Sequence, residues 1–253
     1  MKQKPPSGFR INWDHPLATG LVGWWLLNEG IGPTAFDSSQ QGNHATLAGT
    51  TPTRWSGGPS GPLLWMTGTH YVDTNVERVG STGLFASSTE RFSVSAWFST
   101  SVNSTIVARA SGTAANRTFQ LFTSAGSILV YVRGSSAFIT TAYTLGAWYH
   151  VGVTWDGSLA RLYVDGVFKG STAAGTAAEE TGQRIIIGAR TNGTAALLSG
   201  LVDDVRIYDR ALSSDEIVIL YSDPYSACRS DAYAYSASPP ANIPPGYIYY
   251  YRS

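Results

Sequence analysis

The stretch "WYHVGVTWDGSLARLYVDGVFKG" (residues 148–170) decides the fold that the sequence predicts. Two Asp-Gly pairs, at 156–157 and 165–166, divide it into three short strand-like runs. Asp and Gly tolerate the positive backbone angles of tight hairpin turns. The stretch therefore predicts antiparallel strands joined by two hairpins.

Strand signals recur from residue 20 to about residue 221, with no helical period before residue 213. A dozen or so short strands in such a series predict an all-β sandwich. In "LSSDEI", Ser213 and Glu216 form a capping box, which predicts one short helix that ends near Pro224. We expect two stacked antiparallel sheets, with the helix outside them, to enclose a common set of side chains: Tyr149, Val151, Val153, Trp155, Leu201, Val205 and Ile207.

The composition excludes several classes of protein. Charged residues make up 13% of the 253 residues and the formal net charge is zero, which gives no electrostatic case for binding nucleic acid or an anionic membrane. The lone Cys228 excludes an internal disulfide framework and a cysteine-ligated zinc site. The stretch "MKQKPPSGFRINWDHP" lacks the apolar run of a secretory signal, so we expect synthesis in a cytoplasm.

The last strand signal, "SGLVDDVRIY", contains two adjacent carboxylates. Strict alternation puts Asp203 on one face with Leu201, Val205 and Ile207, where a carboxylate is costly unless a partner or a cation meets it. Asp204 and Arg206 fall on the other face. Two residues apart there, they are expected to form a solvated pair that contributes little to stability.

Six stretches, in this order, resemble laminin-G-like jelly rolls of the concanavalin A-like lectin/glucanase superfamily: "GLVGWWLLNEG", "DSSQQGNHATL", "YVDT", "FSVSAWF", "WYHVGVTWDGSLARLYVDG" and "GLVDDVRIYDRALSSDEI". The resemblance implies a concanavalin A-like antiparallel β-sandwich over residues 20–221, between an extended N-terminal arm (1–19) and an extended C-terminal arm (222–253). The flanking stretches "NWDHPLATGLVGWW" and "ILYSDPYS" are similar to those of laminin-G-like proteins encoded among the structural genes of tailed bacteriophages.

The same resemblance implies a structural calcium ion that pins an early loop to the last strand. The matching residues are Glu29, Asp37, Asn43 and Asp203. Calcium takes six to eight oxygen ligands, so acid and amide side chains spread over a loop suit it. The alternative is that Asp37 makes an Asx turn and Asp203 accepts backbone N–H groups at the end of a sheet.

Catalysis is not expected. Glycanases of this superfamily often place carboxylates at positions i, i+2 and i+4 of one strand face for their acid–base and nucleophile roles. No two carboxylates in this sequence are two residues apart, although two strands could each supply one. Sugar binding requires exposed aromatic rings, and Trp55, in the loop-like stretch "TRWSGGPSG", is the best candidate in the sequence.

The C-terminal 32 residues, 222–253, hold seven of the fourteen tyrosines and five of the twelve prolines. Tyrosine suits interfaces because it combines a large apolar contact with a polar tip. One interpretation is that this C-terminal segment is disordered. We expect an arm that docks on a neighbouring subunit or a scaffold through a set of tyrosines: Tyr233, Tyr235, Tyr247, Tyr249, Tyr250 and Tyr251.

Taken together, these patterns and resemblances predict a non-enzymatic component of a phage virion, made in the host cytoplasm. It would be a capsid decoration or an accessory adhesin that displays a lectin-like jelly roll. The arms would attach it to capsid or tail proteins. We expect the protein to form a homo-oligomer, and a trimer is the form we favour. A cell-surface glycan is a further candidate partner. A free carbohydrate-binding module and, after it, a glycan hydrolase are the alternatives.

Overall fold

The computed structural model describes residues 2–6, 9–49, 54–58, 60–76, 90–110, 117–132, 139–173, 183–190 and 196–229. Over these residues the chain is a sandwich of two antiparallel β-sheets with one α-helix outside it, which confirms the predicted fold class. In the same ranges no helix has the length and apolar character needed to cross a membrane.

The helices are the 3-10 turn Pro16–Ala18 and α1 (Ser214–Ser222). The strands, in chain order, are β1 (Arg10–Ile11), β2 (Leu21–Trp25), β3 (Thr34–Ala35), β4 (Ala45–Gly49), β5 (Arg54–Gly58), β6 (Gly61–Thr67), β7 (His70–Asp73), β8 (Phe92–Thr100), β9 (Thr105–Ala110), β10 (Arg117–Ser124), β11 (Ser127–Val132), β12 (Ile139–Ala142), β13 (Tyr149–Trp155), β14 (Leu159–Val164), β15 (Val167–Ala173), β16 (Ile186–Ile187), β17 (Ser199–Tyr208) and β18 (Cys228–Arg229).

Sheet A has the strand order β12-β11-β10-β9-β16-β7-β4-β3. Sheet B has the order β15-β14-β13-β8-β17-β6-β5, and β2 also pairs with β17. The two predicted hairpins are present: β13 pairs with β14, and β14 pairs with β15. The long strand β17 lies near the middle of sheet B and bonds to β2, β6 and β8.

The main core lies between the two sheets. Val151, Val153 and Trp155 of β13 are buried in it with Val205 and Ile207 of β17, as the sequence predicts. Tyr149 packs against the edge of this core. The placement of Leu201 in the core is wrong, because its side chain is half-buried on the other side of the sheet.

A β-bulge in β17 explains that error. Asp204 has a positive φ of 46°, and the pairing of β17 with β8 shifts register between Asp203 and Arg206. An extra residue in a strand reverses the alternation of its side chains. Val202 and Val205 therefore both join the core, whereas Asp203 points away from it, and its predicted grouping with Val205 and Ile207 is wrong.

A second apolar cluster, the outer layer, covers part of the outer face of sheet B. Its buried members are Ile11, Leu17, Ala18, Leu21, Trp24, Leu26, Tyr163, Tyr208, Leu212, Ile217, Leu220 and Ala227. Strand β1 pairs with β18, so the described parts of both predicted arms are packed against the sheet and do not extend from it. The capping box of α1 is present, with Ser213 and Glu216 bonded reciprocally. On the sheet side, Gly152 makes room for Ile217, whose Cδ1 would lie 2.9 Å from any Cβ at that position.

Asp204 and Arg206 form a buried ion pair beneath the outer layer. Their side chains are 3% and 1% exposed, and both Nε and one terminal nitrogen of Arg206 donate to Asp204 at 3.0 Å. The guanidinium lies 4.0 Å above the ring of Trp24, whose indole N–H donates to Asp204 at 2.6 Å. The expected solvated pair is therefore wrong, because the outer layer removes water from that face.

His150 lies beneath the end of α1. It is 2% exposed, and its ring centroid is 5.3 Å from that of Trp97 and 6.1 Å from that of Tyr221. Burial lowers the pKa of His150 from 6.5 to about 3, with the Asp204 carboxylate raising it and the Arg206 guanidinium lowering it further. The ring is therefore neutral in the folded protein at neutral pH.

The first prediction concerns the buried ion pair. Asp204→Asn removes the counter-charge of Arg206 and should lower the free energy of unfolding by about 3–5 kcal/mol, because an uncompensated buried charge is costly. The matched control is Asp156→Asn, which affects an ion pair with Arg161 whose side chains are 30% and 32% exposed, and it should cost under about 1 kcal/mol. Urea unfolding measures both. Equal costs would contradict a dominant role for the buried pair.

The second prediction concerns the pH dependence of stability. The pKa of His150 is lower in the folded protein than in the unfolded chain. Protonation of His150 in the unfolded chain therefore costs no stability above about pH 6.5. The free energy of unfolding should fall as the pH decreases from 6.5 towards 3, because the unfolded chain binds a proton that the folded chain does not. His150→Phe keeps a ring at this position and should flatten that part of the stability curve. Thermal melts at half-unit pH intervals measure the difference, and parallel curves for variant and wild type would contradict it.

Candidate functional site

Asp203 faces a lysine. The ammonium of Lys4 forms an ion pair with Asp203, and the two side chains are 3% and 0% exposed. Ser60 Oγ donates to the carboxylate at 2.9 Å, and the backbone N–H of Asp204 donates at 3.0 Å. Burial raises the pKa of Asp203 to about 7, while the Lys4 ammonium acts in the opposite direction. Sequence reasoning missed Lys4 because 199 positions separate the partners.

The other three predicted calcium ligands lie in the early loop. Asp37 accepts backbone N–H bonds from Trp24 at 2.9 Å, Ser39 at 2.8 Å and Asn43 at 2.9 Å. The bond from the backbone N–H of Ser39 to Asp37 forms an Asx turn, which is the alternative to calcium binding that the sequence predicts for Asp37. Glu29 accepts an N–H bond from Phe36 at 2.7 Å, in the same loop region.

The structure thus brings Asp37 and Asn43 together but uses Asp203 elsewhere. Within the described ranges, no three His, Cys, Asp or Glu side chains are grouped in a way that could hold a metal ion. Calcium binding itself stays a prediction of the sequence. The predicted interface tyrosines 233–251 lie outside the described residues.

Trp55 lies in strand β5 and not in a loop, which corrects its predicted position. Its indole N–H donates to the carbonyl oxygen of Gly32 at 3.1 Å. The ring is partly buried and packs against the main core. Its role as a sugar-stacking platform stays a prediction, but much of the ring already serves packing.

A groove lies on the outer face of sheet A and has a volume of about 260 Å³. Strand β10 explains its lining: Phe119 and Leu121 point into the core, so Gln120 and Phe122 point the other way. The rings of Phe122 and Tyr131 stack at its side, with centroids 5.2 Å apart and planes 9° from parallel. The described lining residues are Asn103, Ser104, Thr105, Gln120, Phe122, Thr123, Ser124, Tyr131, Arg190 and Ala196.

Two polar side chains that line this groove have hydrogen-bonding atoms without a described partner. Gln120 is 3% exposed, and its amide donates to Thr105 Oγ1 at 3.1 Å. Its carbonyl oxygen and the Nε of Arg190 are both buried without a hydrogen bond to any described residue. Buried polar atoms are normally paired, so this acceptor and this donor are unusual features of the residues that line the groove.

Sequence reasoning did not find this site. The stretch "TFQLFTSAGSILVYVRG" shows the signal, because its outward positions carry Gln120, Phe122 and Tyr131. The alternation alone could not tell which sheet face is covered by other segments and which is open. Part of the outer face of sheet B is covered by the outer layer, whereas the groove lies on sheet A.

Comparisons with known proteins give the family. A profile of the concanavalin A-like lectin/glucanases superfamily, Laminin_G_3, matches residues 67–218. A search of curated protein sequences finds no match. Among solved structures, domain 4 of the extracellular arabinanase AbnA of Geobacillus stearothermophilus, solved in complex with arabinotriose, is similar, with a TM-score of 0.59 and 17% identity over 79% of this chain and 98% of that one.

Two toxin domains are similar as well. The binding domain of Paraclostridial Mosquitocidal Protein 1 has a TM-score of 0.62 and 16% identity, and 83% of this chain matches 53% of that one. The receptor binding domain of botulinum neurotoxin D has a TM-score of 0.58 and 17% identity, over 81% of this chain and 53% of that one. These identities show a shared fold. With the profile covering more than half of its residues, the chain belongs to the concanavalin A-like lectin/glucanases superfamily.

Proposed function

We propose that the protein is a non-enzymatic jelly roll that binds a glycan in the groove of sheet A. The stacked rings of Phe122 and Tyr131 beside the buried amide of Gln120 carry this proposal. Small-molecule sites commonly combine apolar or aromatic walls with a few fixed polar groups, and a sugar offers both C–H faces and hydroxyl groups. A small rotation of the Gln120 side chain toward the groove would let a sugar hydroxyl donate to its oxygen, which accepts no hydrogen bond from a described residue.

Two further observations support binding over hydrolysis. The described lining of the groove contains no carboxylate, whereas glycoside hydrolysis generally uses a pair of them. The similar structures are binding domains of toxins and domain 4 of an arabinanase solved in complex with arabinotriose. The guanidinium of Arg190 in the groove favours a glycan with a carboxylate or sulfate group near its stacked ring.

We extend the proposal to display on a phage particle, where the jelly roll serves as a capsid decoration or an accessory adhesin. The support is the resemblance of the flanking sequences and the tyrosine- and proline-rich composition of the C-terminal end. The described N-terminal residues are packed on their own sheet B. Attachment and trimer formation are therefore assigned to residues 230–253.

A glycan array of neutral and acidic oligosaccharides, followed by calorimetry on the best ligand, tests the binding proposal. Phe122→Ala and Gln120→Leu should each weaken binding about tenfold, since a ring contact and a buried hydrogen bond each contribute about 1 kcal/mol or more. Arg190→Gln should weaken acidic ligands selectively. Each variant should retain the wild-type melting profile within a few degrees.

The matched control is Phe168→Ala, which removes a 52% exposed ring from strand β15 of the other sheet and should bind as the wild type does. A wild-type protein that binds no glycan on the array would overturn the proposal. Unchanged affinity in Phe122→Ala and Gln120→Leu would move the site away from this groove.

Truncation tests the display proposal. The cut belongs after Arg229 and not at residue 222, because Ala227 is buried in the outer layer and β18 bonds to β1. A chain that ends at residue 229 should fold and bind glycan but lose trimer formation and attachment to particles. Light scattering and co-sedimentation with particles measure the two losses. A truncated chain that still assembles and attaches would contradict the assignment.

A further inference from the structure

The ammonium of Lys4 is surrounded by oxygen atoms from three separate segments of the chain. It contacts the Asp203 carboxylate on β17, the carbonyl oxygen of Leu27 at 3.3 Å and the carbonyl oxygen of Pro62 on β6. A carboxylate and backbone carbonyls are the ligand types that hard cations take. The arrangement is therefore a small oxygen cage with a cation inside it.

The charge of Lys4 also acts on a second carboxylate. Burial raises the pKa of Glu29 and the Lys4 ammonium lowers it, and the buried Oε2 of Glu29 accepts no hydrogen bond from a described residue. Asp203, one of the residues that the sequence predicts as calcium ligands, contacts this ammonium directly. The cation that this carboxylate meets is a lysine side chain.

We propose that Lys4 is the resident cation of this site and takes the structural place that a bound metal ion would occupy. It ties the chain after β2 and the start of β6 to the bulged strand β17. Its own backbone N–H donates to the carbonyl oxygen of Ser60 at 3.1 Å, which holds the N-terminal segment along β6. Since the cation is covalently attached to the chain, the site needs no ion from solution.

This assignment separates the cage from the glycan groove, which lies on the outer face of the other sheet. It predicts that calcium does not change the melting temperature of the wild-type protein. It also predicts that removing the ammonium opens a cation site, because Asp203 and the two carbonyl oxygens remain without a positive partner. A divalent ion or a monovalent ion of similar size would then restore the charge balance.

The experiment measures melting temperature and Tb³⁺ luminescence for the full chain, with calcium and with EDTA. Wild type should show the same melting temperature in both and no Tb³⁺ signal that depends on Asp203. Lys4→Ala should melt several degrees lower in EDTA and regain about 5 °C in excess calcium, since an ion that binds only the folded state stabilises it by mass action. In the double variant Lys4→Ala with Asp203→Asn, the calcium response should be absent.

Lys2→Ala is the matched control, because Lys2 makes a half-exposed ion pair with Asp223 and should change neither property. Where Lys4→Ala does not fold, Lys4→Gln keeps a polar chain of similar length and should show the same gain of calcium response. A wild-type protein that EDTA destabilises would overturn the proposal. A Lys4 variant as stable as wild type, or one that is less stable but indifferent to calcium and Tb³⁺, would overturn it equally.

Discussion

The guanidinium of Arg206 is the point around which the outer half of the molecule is organised. It bonds to the Asp204 carboxylate, lies over the ring of Trp24 and donates to the carbonyl oxygen of Pro224. These contacts join strand β2, strand β17 and the turn after α1, which are far apart in the sequence. A buried guanidinium is tolerated only when its charge and its donors are met, so the segments that meet them are fixed in position.

The bulge at Asp204 makes this arrangement possible. Without the extra residue, two adjacent carboxylates would point to opposite faces of the sheet, and one of them would enter the apolar core. With it, both avoid the core and each meets its own basic partner, Lys4 for Asp203 and Arg206 for Asp204. One residue with a positive φ thus determines where two ion pairs form.

The sequence predicted what depends on local chemistry. The Asp-Gly hairpins around β14, the capping box at Ser213 and most of the core side chains of β13 are short-range signals, and the structure has them. The errors in β17 arose because alternation assumes an unbroken period of two. A bulge that long-range contacts stabilise has no local signature in "LVDDVR". The same applies to Lys4, whose role depends on a partner that only the folded chain brings near.

The outer faces of the two sheets differ in what lies on them. Much of the outer face of sheet B is occupied by the outer layer, which links the N-terminal segment to α1. The groove on sheet A is lined by the stacked rings of Phe122 and Tyr131 and by the side chain of Gln120. Superfamily membership fixes the sandwich but not the ligand, because function resides in such a site and not in the fold.

The pairing of β1 with β18 has a mechanical consequence. Arg10 lies opposite Arg229, so the last described residue of the chain is paired with its N-terminal segment. A pull on the residues after 229 reaches this two-residue ladder at its open end, where the hydrogen bonds break in succession. The ladder would peel and lengthen the tether while the sandwich, whose strands are bonded over many residues, stays intact. The jelly roll would thereby be shielded from traction on its C-terminal end.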